Sequence, residues 1–230
     1  MRSAEASKKP EPNAAVQRQR RKDARPQELR DAALTLFVEK GYAATRAEDV
    51  AARAGVSKGT LYLYYAGKEE LFKAVVREHF SATISDGAVM MEQHQGSMAD
   101  LLRQMMWVWW EKVGQGPAGG LSKVMLAEGR NLPELAQFYV EEVIDPTHRL
   151  LGALLERGIR SGEFRPMPVI EAVHVLIGPL LHIMLSEHSF GVCGPALDAP
   201  AVLETQMDLM LRGMLAPAPK IPDSPKERKK

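Results

Sequence analysis

Residues 43–76 read AATRAEDVAARAGVSKGTLYLYYAGKEELFKAVV, and this stretch decides the fold. Thr45 with Glu48 three residues on has the form of a capping box, and Val50 and Ala51 supply the buried side of a short helix. Ala54-Gly55-Val56 breaks that helix, because Gly55 permits the positive φ of a sharp turn. Ser57 then opens a second short helix running through Tyr64, and a long one follows from Lys68 with Leu71, Val75 and Val76 inward. Two short helices cannot hold each other, so a third must pack across them. Upstream, a helix beginning at Pro26 places Leu29, Ala33, Leu36 and Phe37 at i, i+4, i+7 and i+8, one apolar stripe, and Gly41 ends it as a left-handed C-cap. Val56 and Leu61 join the same core.

Such a three-helix arrangement presents the Ser57–Tyr64 helix edge-on, narrow enough for a DNA major groove. Its leading end carries Ser57, Lys58, Gly59 and Thr60. Gly59 lets a nucleic-acid backbone come close, while Lys58 and Thr60 can reach base edges or phosphates. Tyr62 and Tyr64 can donate to phosphate oxygens. Thr45 and Lys68 stand at helix starts, where free N–H groups favour an anion. Plainer roles compete: Ser57 also fits an N-cap alone, and the two tyrosines also fit amphipathic packing.

Together these residues resemble the helix-turn-helix of the TetR (TetR/AcrR-type) family of transcriptional regulators. The resemblance rests on Gly41, Thr45, Asp49-Val50-Ala51, Ala54-Gly55-Val56-Ser57, Gly59-Thr60-Leu61-Tyr62, Tyr65 and Lys68-Glu69-Glu70-Leu71, within residues 26–76. It implies DNA-backbone contacts from Thr45, Ser57, Tyr64 and Lys68, and base-proximal roles for Lys58, Thr60 and Tyr62. The sequence departs from the pattern at three places. Arg46 replaces a smaller residue and can add a phosphate or minor-groove contact. Tyr65 replaces Phe, as a core residue with its hydroxyl near the surface, and Ala66-Gly67 replaces a stronger capping pair.

The expected architecture is all-α: a basic disordered arm over 1–25, a helix-turn-helix domain over 26–76, a helical bundle over 77–216 and a disordered basic tail over 217–230. Helices are expected near 98–114, 120–130, 133–161, 168–189 and 200–215, with Pro146 and Pro179 kinking or splitting two of them. The 30 Lys+Arg nearly cancel the 29 Asp+Glu, leaving a formal charge of +1, but both ends are basic. Basic ends suit a polyanion partner and equally suit solvated tails. The segment 168–189 is apolar on more than one face, and 200–215 adds Val202, Met207, Leu209, Met210, Leu211 and Met214. These two segments are expected to form a homodimer interface across a two-fold axis.

The resemblance further implies a small-molecule effector held in the bundle. For an apolar or amphipathic ligand the candidates are Met106, Trp107, Trp110, Met125, Phe138 and His174, with Met105 and Trp109 beside them. Plain core packing is the competing role for each. His174, His182 and His188 are eight and six residues apart, wrong for a helical metal pair, and nothing basic flanks the one cysteine, Cys193. No cofactor is implied. No HExxH, nucleophile elbow, P-loop or GxGxxG before a strand is present, so no enzyme is expected. No uninterrupted run of about 18 apolar residues appears, and a cytoplasmic, membrane-free protein is expected. The reading is therefore a regulator binding double-stranded operator DNA as a homodimer, a repressor released by its effector. A scaffold that has kept the fold and lost DNA recognition is the alternative.

Overall fold

The computed structural model describes residues 14–190 and 198–217, with side chains from residue 24 onward. It divides into two compact units at Val76/Arg77. The expectations for residues 1–13, Cys193 and residues 218–230 lie outside the described residues.

In the first unit, α1 (Ala14–Lys40) begins well before Pro26, where the sequence reading started it after a disordered arm. Residues 14–25 are mostly Ala, Gln, Arg and Lys, all strong helix formers, so the helix runs on through Pro26 with the loss of one backbone N–H. Gly41 closes α1 at φ 85°, its N–H donating to the Phe37 carbonyl at 3.0 Å. Then come α2 (Ala47–Arg53), α3 (Lys58–Tyr64) and α4 (Lys68–Val76). Gly55, at φ 66°, makes the turn between α2 and α3, a conformation that strains any residue with a Cβ. The core is continuous across all four helices: Leu29, Ala33, Phe37, Val50, Leu61, Leu71 and Phe72 are fully buried. Phe37, Tyr42 and Phe72 stack at centroid separations of 5.3–5.5 Å. Val56, expected in this core, is half-buried instead because it lies on the turn.

The second unit opens with a π-helical turn, Arg77–Ser81. After it come α5 (Ala82–Gln93), α6 (Met98–Trp109), α7 (Gly119–Glu128), α8 (Pro133–Tyr139), α9 (Asp145–Arg160), α10 (Val169–Phe190) and α11 (Ala199–Met214). Two further π-helical turns, Trp110–Gly114 and Val140–Ile144, follow α6 and α8. The second of these is where the 133–161 segment answers Pro146: the ladder widens one turn before the residue that cannot donate. Pro179 is instead carried inside α10.

Helix ends in this bundle are closed by long side chains. The Glu163 carboxylate accepts from the Ser97 hydroxyl at 2.6 Å and from the Met98 and Ala99 amides at 2.7 and 2.9 Å, covering the start of α6. Burial pushes that carboxyl up, but the Ser97, Ala99 and Met98 hydrogen bonds outweigh it and hold it below the usual carboxylate range. Arg157 donates to the Met91 and His94 carbonyls at 3.0 and 2.9 Å, closing the end of α5. Leu102, Leu154, Leu155, Leu176, Met184, Leu203 and Met207 are the dry centre. Among the described residues no strand forms; an isolated antiparallel bridge joins Phe164 to Leu215.

α10 is long and apolar enough, by length and composition, to cross a membrane, at a mean hydropathy of 1.8. The search for an unbroken apolar run missed this because Glu171, His174 and His182 interrupt it. Its buried residues Val173, Leu176, Leu180, Ile183 and Met184 are a core face of this bundle.

Candidate DNA-binding surface and effector cavity

α3 is held by one fully buried residue, Leu61, and turns its remaining face outward. Ser57 caps it in extended conformation (φ −74°, ψ 154°): its Oγ accepts from the Thr60 N–H at 3.1 Å and lies 2.9 Å from the Thr60 hydroxyl. Lys58, Gly59 and Tyr62 are exposed, Thr60 and Tyr64 half-buried. Lys58 pairs with Glu48 of α2, and its ammonium lies 5.8 Å from the Tyr62 ring centroid. That pairing holds the Lys58 ammonium above its usual range and the Glu48 carboxyl below.

Gly59 carries the most information. A Cβ placed there would meet only the Ser57 Oγ, at 3.8 Å, so nothing inside the chain requires a glycine. Glycine in a helix costs up to about 1 kcal/mol relative to alanine, and here no internal contact offsets it.

Two expected contact residues turn inward. Thr45 is fully buried, and its hydroxyl donates to the Gly41 and Leu36 carbonyls at 2.7 and 3.2 Å. The capping box with Glu48 does not form; Arg46, extended and exposed, stands at the N-cap of α2 with no side-chain cap bond. The Lys68 ammonium donates to the carbonyls of Tyr42, Thr45 and Ala43 at 2.9, 3.1 and 3.3 Å and lies 4.4 Å from the Tyr42 ring centroid. Both side chains therefore serve the loop between α1 and α2, which has more carbonyls than its own amides can satisfy. The Tyr65 hydroxyl accepts from Arg30 at 2.9 Å and donates to the Pro26 carbonyl at 3.3 Å, tying the end of α3 to α1.

Inside the second unit lies a cavity of about 490 Å³, walled by side chains of α5 through α10. Most of its wall is apolar, including Met105, Met106, Met125, Val143, Leu151 and Leu180. Ser122 and Tyr139 share a buried hydroxyl–hydroxyl hydrogen bond of 3.0 Å in it. Burial pushes the Tyr139 phenol up to about 12, against the lowering effect of Ser122.

Residues 29–75 match the family of bacterial regulatory proteins, tetR family, and residues 92–190 match the tetracyclin repressor-like C-terminal domain. This chain belongs to the TetR family. It is a helix-turn-helix transcriptional regulator. Among its relatives, the transcriptional repressor KstR2 of Mycolicibacterium smegmatis is 25% identical over 191 residues, covering 83% of this chain and 90% of that one. The fatty acid degradation regulator FadR of Bacillus halodurans shares the fold at TM-score 0.68 and 21% identity, covering 81% and 94% of the two chains. FadR of Bacillus subtilis, solved with stearoyl-CoA, shares it at TM-score 0.65 and 21% identity, covering 81% and 98%.

In this TetR-family chain, the expected effector residues part company. Met106, Met125 and His174 line the cavity; Trp107, Trp110 and Phe138 do not. Trp107 is half-buried and donates to Glu204 of α11 at 2.9 Å. Trp110 is a core residue at 2% exposure, packed where a Cβ on Gly114 would come within 2.2 Å of its ring. Phe138 is buried, with the Arg77 guanidinium 4.9 Å from its ring centroid. The tryptophan that reaches the cavity is Trp109. Two residues escaped the sequence reading altogether. His148 faces the cavity beside His174. Leu63 is 81% exposed on α3; lying two residues from buried Leu61, it is turned about 200° away on the helix, a signal available from periodicity alone. Among the described residues no group of three or more His, Cys, Asp or Glu could hold a metal.

Proposed function

We propose that this regulator is a homodimeric repressor whose α3 enters the operator major groove and whose second unit binds an apolar or amphipathic effector that releases it. The observation that carries the DNA-binding assignment is Gly59: a helix position left bare on the outward face, with no internal reason for it, supports close approach by a partner's backbone. Lys58, Thr60 and Tyr62 then serve as base-proximal groups, with Ser57, Tyr64 and Arg46 toward phosphates. Thr45 and Lys68 hold the loop that carries Arg46.

The dimer assignment is supported by α10 and α11. Only 28% of the apolar stretch of α10 is buried within one chain. Ile170, Val175 and Leu209 are exposed at 72%, 54% and 67%, and a groove lined by Val175, Pro179, Val202, Leu209 and Met210 runs between the two helices. A second copy covers this face. The effector assignment is supported by the cavity, whose size and apolar wall suit a ligand of small-molecule dimensions. Its chemistry parallels the stearoyl-CoA found with the Bacillus subtilis relative, and a long-chain acyl compound is the class proposed here.

Titration of labelled DNA from the chain's own upstream region, at several salt concentrations, tests the assignment. Specific binding with a steep salt slope is expected, about 0.9 in log–log terms for each phosphate neutralised. Binding that is equally tight on unrelated DNA removes the operator assignment.

A further inference from the structure

The wall of the effector cavity carries no formal charge: among its lining residues none is Lys, Arg, Asp or Glu. Its imidazoles are His148 of α9 and His174 of α10, whose rings meet edge to face with centroids 4.8 Å apart. His174 is exposed and His148 half-buried, so the pair stands where the cavity reaches solvent. Side-chain polarity elsewhere in the wall comes from the hydroxyls of Thr83, Ser122, Tyr139 and Thr147 and the Trp109 indole. An amphipath that enters tail first leaves its head at the imidazoles.

We infer that His148 and His174 are the head-group subsite of this cavity, and that the head is a carboxylate bound together with one proton. The inference rests on reading the cavity as the effector site. Two imidazoles in contact in a poorly solvated wall accept at most one added proton between them. Burial first, and His174 second, hold His148 below the usual imidazole range, with Asp145 opposing. His148 is therefore uncharged in the empty cavity at neutral pH. A hydroxyl or carbonyl head would need only its N–H or ring nitrogen. A carboxylate differs, because it brings a fixed charge to a wall without a counter-charge. The groups there that can gain a positive charge are the two imidazoles. One proton passes from solvent to a ring nitrogen, leaving imidazolium against carboxylate; no covalent bond to carbon forms or breaks.

The charges around α9 leave this arrangement intact. On α9 itself, Asp145 acts on His148, Glu156 pairs with Arg160, Arg157 is bonded to backbone carbonyls, and Arg149 is exposed. From α10 come His174 and Glu171. From the 140–144 turn, Glu142 pairs with Arg77, and Glu141 accepts from Gln137. From α5, Asp86 pairs with Lys112, and Glu92 is exposed; from α6, Arg103 pairs with Glu204, and Asp100 lies in its first turn. Of all these, Asp145 and His174 are the groups that act on His148.

The test uses the full-length protein with dodecanoate and dodecanol as probes, one apolar body with two heads. Tryptophan fluorescence reports occupancy, because Trp109 lines the cavity, and calorimetry in buffers of different ionisation heat counts protons. Between pH about 6 and about 8, dodecanoate affinity is expected to fall up to about tenfold per unit above the imidazole titration, with close to one proton taken up, while dodecanol stays flat. The double variant His148→Gln, His174→Gln is expected to lose the pH dependence and the proton, to bind dodecanoate about tenfold or more weakly at the acid end, and to keep dodecanol, which shows that it is folded. Dodecanoate binding that is independent of pH, or undiminished in the double variant, overturns the inference. Binding of dodecanol without dodecanoate overturns it and spares the cavity; binding of neither overturns both.

Discussion

Lys68→Met separates two roles that a lysine at a helix start can play. The ammonium donates to three backbone carbonyls, of Tyr42, Ala43 and Thr45, and lies 4.4 Å from the Tyr42 ring centroid. A hydrogen bond to a charged group contributes about 1.5–3 kcal/mol, but the three do not add, since one of these bonds is exposed and water replaces part of what is lost. With about 0.5–1 kcal/mol for a cation over an aromatic ring, the net loss comes to about 2–3 kcal/mol, while methionine keeps the aliphatic stem. For a unit of this size that corresponds to a fall of roughly 10 °C in its melting temperature. Denaturation of wild type and variant measures this, and DNA titration at several salt concentrations, kept below the variant's melting range, measures the other role. The log–log salt slope is expected to stay within error, because the ammonium is spent on the protein's own carbonyls. A variant of wild-type stability whose slope has dropped by about 0.9 would mean that Lys68 neutralises a phosphate, and the clamp argument would be wrong.

Gly59→Ala is expected to leave stability unchanged or raise it by up to about 1 kcal/mol, since the new methyl meets only the Ser57 Oγ at 3.8 Å. Operator affinity should fall at least about tenfold, about 1.4 kcal/mol, measured by fluorescence anisotropy beside a melting curve. Tyr139→Phe removes one of two paired buried hydroxyls and should cost about 1–2 kcal/mol in denaturant unfolding; an unchanged midpoint would mean that Ser122 finds another partner. Glu163→Gln should matter at neutral pH and fade in acid. The folded carboxyl lies below its usual range, so its stabilisation is full above the unfolded value and disappears as pH falls through the folded one. Urea midpoints at pH about 7 and about 4 should show the wild-type advantage shrinking at the lower value.

The first unit was legible because its signals are local. Gly41 and Gly55 announce left-handed residues, Ser57 announces a cap, and Leu61 and Leu71 sit where a 3.6-residue period puts them. Thr45 and Lys68 were misread for the opposite reason. Their partners are fixed by tertiary approach: Lys68 reaches back to carbonyls 23 to 26 residues away. In the second unit, helix extents followed from proline and periodicity, but a cluster of tryptophans says nothing about which side of its helix is hollow. Trp107 and Trp110 do share a face, as their spacing requires; the faces that meet them are α11 and the core, and the hollow lies toward Trp109. His148 became visible only once α9 and α10 were side by side.

The widened turn over Val140–Ile144 makes this molecule unusually sensitive to a change in length at one place. A π-helical turn holds one residue more than the surrounding helix would use, and each α-helical residue advances the azimuth by roughly 100°. Deleting a single residue there would restore a regular ladder and swing everything downstream by that angle, parting His148 from His174 and Glu142 from Arg77 while leaving the composition of every helix almost untouched. Descendants of this gene are therefore free to exchange side chains in that stretch but not to shorten it.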